Sequence, residues 1–151
     1  MVKKRHTIKN TVISSEDFLI LYIGTTFSGK NHDYNMFKKE FNPNMDWFLS
    51  LNILVDSGYQ GFNNDYKTND LKIPYKKPRK SKSNPDPKLT KDQKEENKEM
   101  SKERVIVENV IGGMKRFRCV SDRYRNHIDE LKDLFISISA GLWNFNLSCR
   151  G

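Results

Sequence analysis

Between residues 76 and 104 the chain has little that it could bury. That stretch holds 11 basic and 6 acidic residues, and it overlaps the run PYKKPRKSKSNPDPK, where Pro78, Pro85 and Pro87 fall within ten positions. A segment of this kind cannot offset the entropy of its own ordering by apolar burial. Any core must therefore be drawn from the blocks on either side. The expectation is an exposed, basic, partly disordered insertion at about residues 76–100. It is either a solvated loop or an arm whose Lys76, Lys77, Arg79, Lys80 and Lys82 contact phosphates, and the charge run alone leaves both open.

The block before it reads as a mixed sheet with one helix. RHTIKNTVI is β-branched and partly alternating, SSED is a turn, and DFLILYIGTTF is apolar on both faces, which predicts a hairpin with a well-buried second strand. NHDYNMFKKEF sets Tyr34, Met36, Phe37 and Phe41 at helical spacing, opened by Asn31 or His32 and closed by FNPN. WFLSLNILV then predicts a strand with Leu51, Ile53 and Val55 buried, and LKIPY a further short one. The first of these strands ends on Asp56, followed by the turn SGYQG with its two glycines. A carboxylate at a strand's carboxyl end is where open α/β sheets place ligand-binding groups. The plainer alternative is an Asp that merely caps the turn or the next helix with its side-chain oxygen.

The block after it predicts two helices. The first runs from the Thr90 region through ERVIVENVIGGMKRF, with Val105, Val107, Val110, Ile111, Met114 and Phe117 on one face and Glu108 bracketed by hydrophobes. Gly112 and Gly113 each cost about 1 kcal/mol against Ala there. Either something approaches closely at those glycines or the helix bends. The second helix, about residues 124–146, predicts Ile128, Leu131, Leu134, Phe135, Ile138, Leu142 and Phe145 as its buried stripe.

At 151 residues the chain amounts to about one domain. Its 27 Lys and Arg against 19 Asp and Glu leave a formal charge of +8, and a surplus of that size favours a polyanionic partner, nucleic acid or an anionic membrane face. No apolar run approaches the roughly 20 residues that span a bilayer, and the charged start has no apolar stretch behind it to make a signal peptide. The expectation is a soluble cytoplasmic protein with no membrane partner. Cys119 and Cys149 stand outside any CxxC or Cys/His cluster and read as free thiols.

Asp56 and Glu108 are thus two carboxylates, one at a strand end and one on an apolar-faced helix. Hard divalent cations take oxygen ligands of this kind, and a pair of ions about 3.5–4 Å apart can clamp the attacking and leaving oxygens of phosphoryl transfer. The plainer alternative for Glu108 is a surface acid paired with Arg104 or Lys115 along the helix.

The series KKRHTIK, SGKNHD, VDSGYQGF, SKERVIVENVIGGMKRFR and SDRYRN resembles, in order and spacing, the carboxyl-terminal part of the DDE-type insertion-sequence transposases. The resemblance extends over residues 3–147. It implies a ribonuclease-H-like α/β fold, a mixed sheet with flanking helices, and a triad of two Asp and one Glu holding two Mg²⁺ (or Mn²⁺) ions against a phosphodiester. Asp56 corresponds to the second Asp and Glu108 to the Glu. Arg104, Lys115, Arg116 and Arg118 correspond to a basic shell suited to DNA phosphates. The family's first Asp lies on a first strand upstream of KKRHTIK. Asp17, in the hairpin turn, and Asp33, at a helix start, do not replace it.

The resemblance therefore implies a partial DDE catalytic domain over residues 1–147 that lacks the first strand and is fragile for want of it. Such a chain binds DNA weakly and without sequence preference, and does not cut it alone. Two alternatives remain: a non-catalytic basic nucleic-acid-binding or interaction protein, and assembly with a separately encoded amino-terminal half.

Overall fold

The computed structural model describes residues 7–81, 85–122, 128 and 130–150. It is a mixed α/β chain that divides into two compact units, Met1–Glu40 with Val105–Gly151, and Phe41–Arg104.

In the first unit, β1 (Ile8–Lys9) pairs antiparallel with β4 (Phe27–Ser28), and β2 (Val12–Ser14) with β3 (Ile20–Ile23). The β2–β3 hairpin is the one that the sequence predicts. Its register sets Val12 opposite Ile23 and Ile13 opposite Tyr22, then slips so that Ser14 meets Ile20. Ser15 closes the turn, its N–H donating to the Leu19 carbonyl at 2.9 Å and its carbonyl accepting from the Phe18 N–H at 3.2 Å. Phe18 takes a left-handed φ of 64°, uncommon for a bulky side chain. Burial of both faces of β3 does not hold: Ile20 is buried, while Leu21 is 65% exposed.

Helix α1 (Asp33–Glu40) begins where the Asn35 and Met36 N–H groups donate to the His32 carbonyl. It buries Tyr34, Met36 and Phe37, and its last-turn Lys38 and Lys39 suit the negative end of the helix.

The unit boundary falls inside α3 (Lys91–Met114). In the first unit its Val110 and Met114 form a core with Ile20 of β3 and Ala140 of α5 (Glu130–Ser148), flanked by Ile23, Ile136 and Trp143. The short α4 (Arg118–Ser121) lies between these helices in the chain.

The stripe expected for the second helix is not the buried one. Leu134, Ile138, Leu142 and Phe145 are exposed, as is Ile128, and the residues that α5 buries fully are Ser139 and Ala140. A Cβ on Gly113 of α3 would collide with the Trp143 ring, so α3 meets α5 there through a glycine set against an indole. This answers the question raised by the glycine pair for Gly113; a Cβ on Gly112 would meet open space. Asn144 fixes the neighbouring strand, its amide group donating to the Ile20 carbonyl and accepting from the Ile20 N–H, each at 2.9 Å.

In the second unit β5 (Asn52–Leu54) runs parallel to β6 (Asp70–Lys72), with Ile53 opposite Leu71. The strand expected from residue 47 is shorter than WFLSLNILV suggests. Residues before it coil as turns, with the Trp47 indole N–H donating to the Asn42 carbonyl and the Leu51 N–H to the Phe48 carbonyl. Trp47, Leu49 and Leu51 are accordingly exposed.

The core of this unit is aromatic. Phe41, Phe48, Phe62 and Tyr66 stack with centroids 4.7–5.9 Å apart. The Tyr66 hydroxyl donates to the Phe41 carbonyl, and burial pushes its pKa up to about 12.

The amino end of α3 is set by a capping box. The Gln93 N–H donates to the Thr90 hydroxyl at 3.2 Å, and the Thr90 N–H donates to the Gln93 side-chain oxygen at 3.1 Å. Residues 91–100 of the expected insertion are therefore helical, with Met100 buried.

The described strands form three two-stranded pairs, not one continuous mixed sheet. Among the described residues no helix is long and apolar enough to cross a membrane, and Cys119 and Cys149 are free thiols.

Candidate active site

Asp56 stands one residue beyond the end of β5–β6 pairing, which the Val55 N–H extends by donating to the Lys72 carbonyl at 3.1 Å. Its backbone is extended, and its carbonyl accepts from the Tyr59 N–H at 2.9 Å to start the 3₁₀ turn Ser57–Tyr59. Gly61 follows with φ 97°, where only glycine is at ease. The turn makes no use of the carboxylate, because Asp56 forms no side-chain cap. The turn-cap reading of this residue is thereby removed. Its Oδ1 instead lies 2.9 Å from Arg104 Nη1, and both side chains are partly exposed.

Arg104 and Glu108 stand one turn apart on α3. Glu108 is exposed. Arg104 belongs with Asp56 to the unit Phe41–Arg104, whereas Glu108 belongs to the other. Lys115 and Arg116 follow the end of α3, Arg118 opens α4, and all three are exposed.

Of the proposed arm, Lys76, Lys77, Arg79 and Lys80 are exposed, and Lys82 lies outside the described residues. The root of the arm is anchored. The Tyr75 N–H donates to the Asn97 side chain at 2.8 Å, and the Asn97 amide donates back to the Tyr75 carbonyl at 2.9 Å. Lys72 pairs with Glu103 at 2.7 Å beside it. The members of KKRHTIK and SDRYRN that precede Thr7 or follow Asp122 lie outside the described residues.

Asp17 sits in the hairpin turn, and Asp33 opens α1 with Lys9 at 2.9 Å. One acid that sequence reasoning passed over is Glu40. Both of its carboxylate oxygens are shielded from solvent without a well-aligned hydrogen bond, as is the Thr11 hydroxyl. Burial pushes the Glu40 pKa up, against the opposing influence of the Thr11 hydroxyl and the Thr25 N–H, and its charge adds to the burial that raises the Tyr22 phenol. The sequence carries a signal for it: Glu40 lies four residues after Met36 and three after Phe37, on the buried face of α1.

Asp56 and Glu108 fit a hard divalent cation in kind, as accessible carboxylates. In number they fall short, since among the described residues no three His, Cys, Asp or Glu could together hold an ion.

The DDE superfamily endonuclease family matches residues 1–144 of the chain. The chain belongs to this family. It is also 32% identical over 146 residues to a probable transposase for insertion sequence element IS702 from Microchaete diplosiphon, a match covering 96% of this chain and 48% of that protein. The chain thus spans about half the length of the curated relative that it matches. No solved structure matches it. Enzymes of the family depend in general on divalent metal.

Proposed function

We propose that residues 1–147 are part of a DDE transposase catalytic domain of ribonuclease-H-like fold, contributing two of its three carboxylate ligands, Asp56 and Glu108. The observation that carries this reading is the family match across residues 1–144, a span that includes Asp56 and Glu108. Asp56 and Glu108 would contribute to holding two divalent ions, Mg²⁺ or Mn²⁺, which would supply Lewis-acid stabilisation of a phosphodiester and of the oxygen that attacks it. Arg104, Lys115, Arg116 and Arg118, with the arm at Lys76, Lys77, Arg79, Lys80 and Lys82, neutralise DNA phosphates.

Two carboxylates are too few to fix two ions at the separation that in-line displacement needs. In this reading the third ligand comes from outside residues 1–147, which match 48% of the transposase relative, whether joined to them or supplied as a separate amino-terminal half. Residues 1–151 by themselves bind DNA without sequence preference and do not cut it. That behaviour is shared with the alternative of a non-catalytic DNA-binding protein, and restoration of activity separates the two.

The test is nicking of supercoiled DNA with Mg²⁺ or Mn²⁺. The 151-residue chain should not exceed its Glu108→Gln variant. Addition of an amino-terminal segment from a full-length relative should restore nicking that depends on both Asp56 and Glu108. Robust Glu108-dependent nicking by the chain alone would refute the incomplete site, and restored nicking indifferent to Asp56 would refute that assignment. In the same preparation, replacing the five basic arm residues by Gln should weaken binding to unrelated duplexes equally. It should also flatten the salt dependence by about 0.9 in log–log slope for each phosphate that the arm no longer neutralises. Unchanged binding would remove the arm from the interface.

A further inference from the structure

Helix α5 is apolar on two sides, and the fold uses one of them. From Leu134 to Cys149 the chain carries no Asp, Glu, Lys or Arg, its longest such run, although 30% of all residues are charged. One face is committed: Ala140 and Ile136 to the core with Val110 and Met114, Trp143 against Gly113, and Asn144 to the Ile20 backbone. Opposite it stand Leu134, Ile138, Leu142 and Phe145, between 43% and 65% exposed. Cys149 prolongs that line by one turn, its N–H donating to the Phe145 carbonyl at 3.2 Å, and it too is exposed. A single exposed leucine carries no message. A helix face that water covers is polar or charged, however, and a helix apolar all round is an interior helix. Within the line sits Gly141, where a Cβ would meet open space, so a side chain from another body has room there.

We infer that this face of α5 is a docking surface for the part of the transposase that residues 1–147 do not supply, so that α5 lies inside the completed domain. The inference rests on the proposed function's reading of this stretch as part of a larger catalytic domain. Two observations choose this occupant over a second copy of the chain. The match takes in 96% of this chain and 48% of the relative, which leaves more than half of that protein to provide cover. The four side chains offer an area on the order of 400 Å², about half of what each partner brings to a standard stable complex. Two copies, each at +8, would have to associate through that small contact against like charge. A segment of the same domain is held nearby by the chain or by its other contacts, and a small contact then suffices. The complementary surface is apolar and uncharged, because an ion set against Leu134, Ile138, Leu142 and Phe145 would lose its water and gain no partner.

Two native thiols report on the two faces. Cys149 lies on the exposed line, whereas Cys119 of α4 meets the covered face, its sulfur 3.7 Å from the Ser139 hydroxyl. Alkylation by iodoacetamide, read at each cysteine by peptide mass spectrometry, follows them separately. In the 151-residue chain alone, Cys149 should react at a rate independent of protein concentration. In the chain completed by the amino-terminal segment of a full-length relative, Cys149 should react about tenfold more slowly while Cys119 keeps its rate. Ile138→Gln with Phe145→Gln should abolish that protection. Met45→Gln with Leu49→Gln, which removes two exposed apolar side chains from the other unit, should not.

A second measurement needs the 151-residue chain only. Ile138→Gln with Phe145→Gln should lower the fluorescence of bound anilinonaphthalene sulfonate and shift the midpoint of thermal unfolding by about 2 °C at most, since both side chains face water. The docking surface is overturned if Cys149 is unprotected in a completed protein that nicks DNA, or if the double substitution unfolds the chain alone. It is overturned equally if Cys149 of the chain alone becomes protected as concentration rises, which would seat a second copy there. Protection that depends on Ile138 and Phe145 without any nicking would instead refute Asp56 and Glu108 as ligands and leave the docking surface standing. Absence of both would refute the larger domain on which both rest.

Discussion

The two units close their cores by different means. In Phe41–Arg104 the core is four aromatic rings, and its most distant partners, Phe41 and Tyr66, are 25 positions apart. In the other unit the core is Ile20, Val110, Met114 and Ala140, and the hydrogen bonds that fasten it join Ile20 to Asn144 across 124 positions. By the loop-closure relation, the longer closure costs about 1.4 kcal/mol more. That is small beside the burial of a single large side chain. The difference therefore lies less in how far the chain must reach than in what it brings together. Large rings fill space by bulk and suffer when bulk is removed. A helix pair meeting where Gly113 lies against the Trp143 ring suffers when bulk is added.

The largest effect should come from emptying the aromatic core. Phe62 is fully buried, and Phe62→Ala should cost about 3–5 kcal/mol. The chain has two tryptophans, Trp47 in one unit and Trp143 in the other, so urea unfolding of Trp47→Phe and Trp143→Phe backgrounds reports each unit separately. Loss confined to the Trp47 signal would sharpen the distinction. Simultaneous loss of both signals would break it, because the two cores would then be one cooperative body.

Next in size is the glycine pair. Gly113→Ala sets a methyl group against the Trp143 ring and should cost about 1–3 kcal/mol. Gly112→Ala meets open space on the same helix and should gain up to about 1 kcal/mol from helix propensity. Equal changes at the two positions, measured by thermal unfolding, would mean that close approach does not govern this core.

The smallest effect concerns Glu40, a charged group that the first unit shields. A carboxyl whose folded pKa lies above its unfolded value binds extra proton in the folded state, so its stabilising contribution is full below the ordinary carboxylate range and is lost as pH rises through the folded pKa. Glu40→Gln should therefore stabilise the chain at pH 7, by about 1 kcal/mol or less. The gain should vanish below the pH at which an ordinary Glu protonates. A gain that persisted unchanged into acid would show that removal of charge is not its cause.

Much of the local architecture is legible in the sequence. Helix α1 follows from Tyr34, Met36 and Phe37 and from the His32 start, the hairpin from its β-branched halves and the SSED turn, and β6 from LKIPY. The cap on α3 follows from Thr90 and Gln93, and Asp56 falls just past the end of β5, the strand predicted to deliver it. The buried face of α5 is not legible. Leu134, Ile138, Leu142 and Phe145 make a stripe at helical spacing, and spacing gives a direction without saying whether a partner lies there. The coil at residues 42–51 escapes sequence reading for a related reason, since apolar composition favours a strand while the hydrogen bonds of Asn42 and Phe48 favour turns.

What the sequence alone determined is whatever depends on groups within about a turn of one another: caps, turns, the glycine-bearing bend after Asp56, and the family motifs themselves. Those interactions are complete before any distant contact forms. Only the tertiary structure decided which face of α5 is covered, that the Glu40 carboxylate oxygens are shielded from solvent, and that Asp56 meets Arg104 at 2.9 Å. Each of these turns on the shape and charge that a remote segment presents, and periodicity within one segment carries no record of its partner.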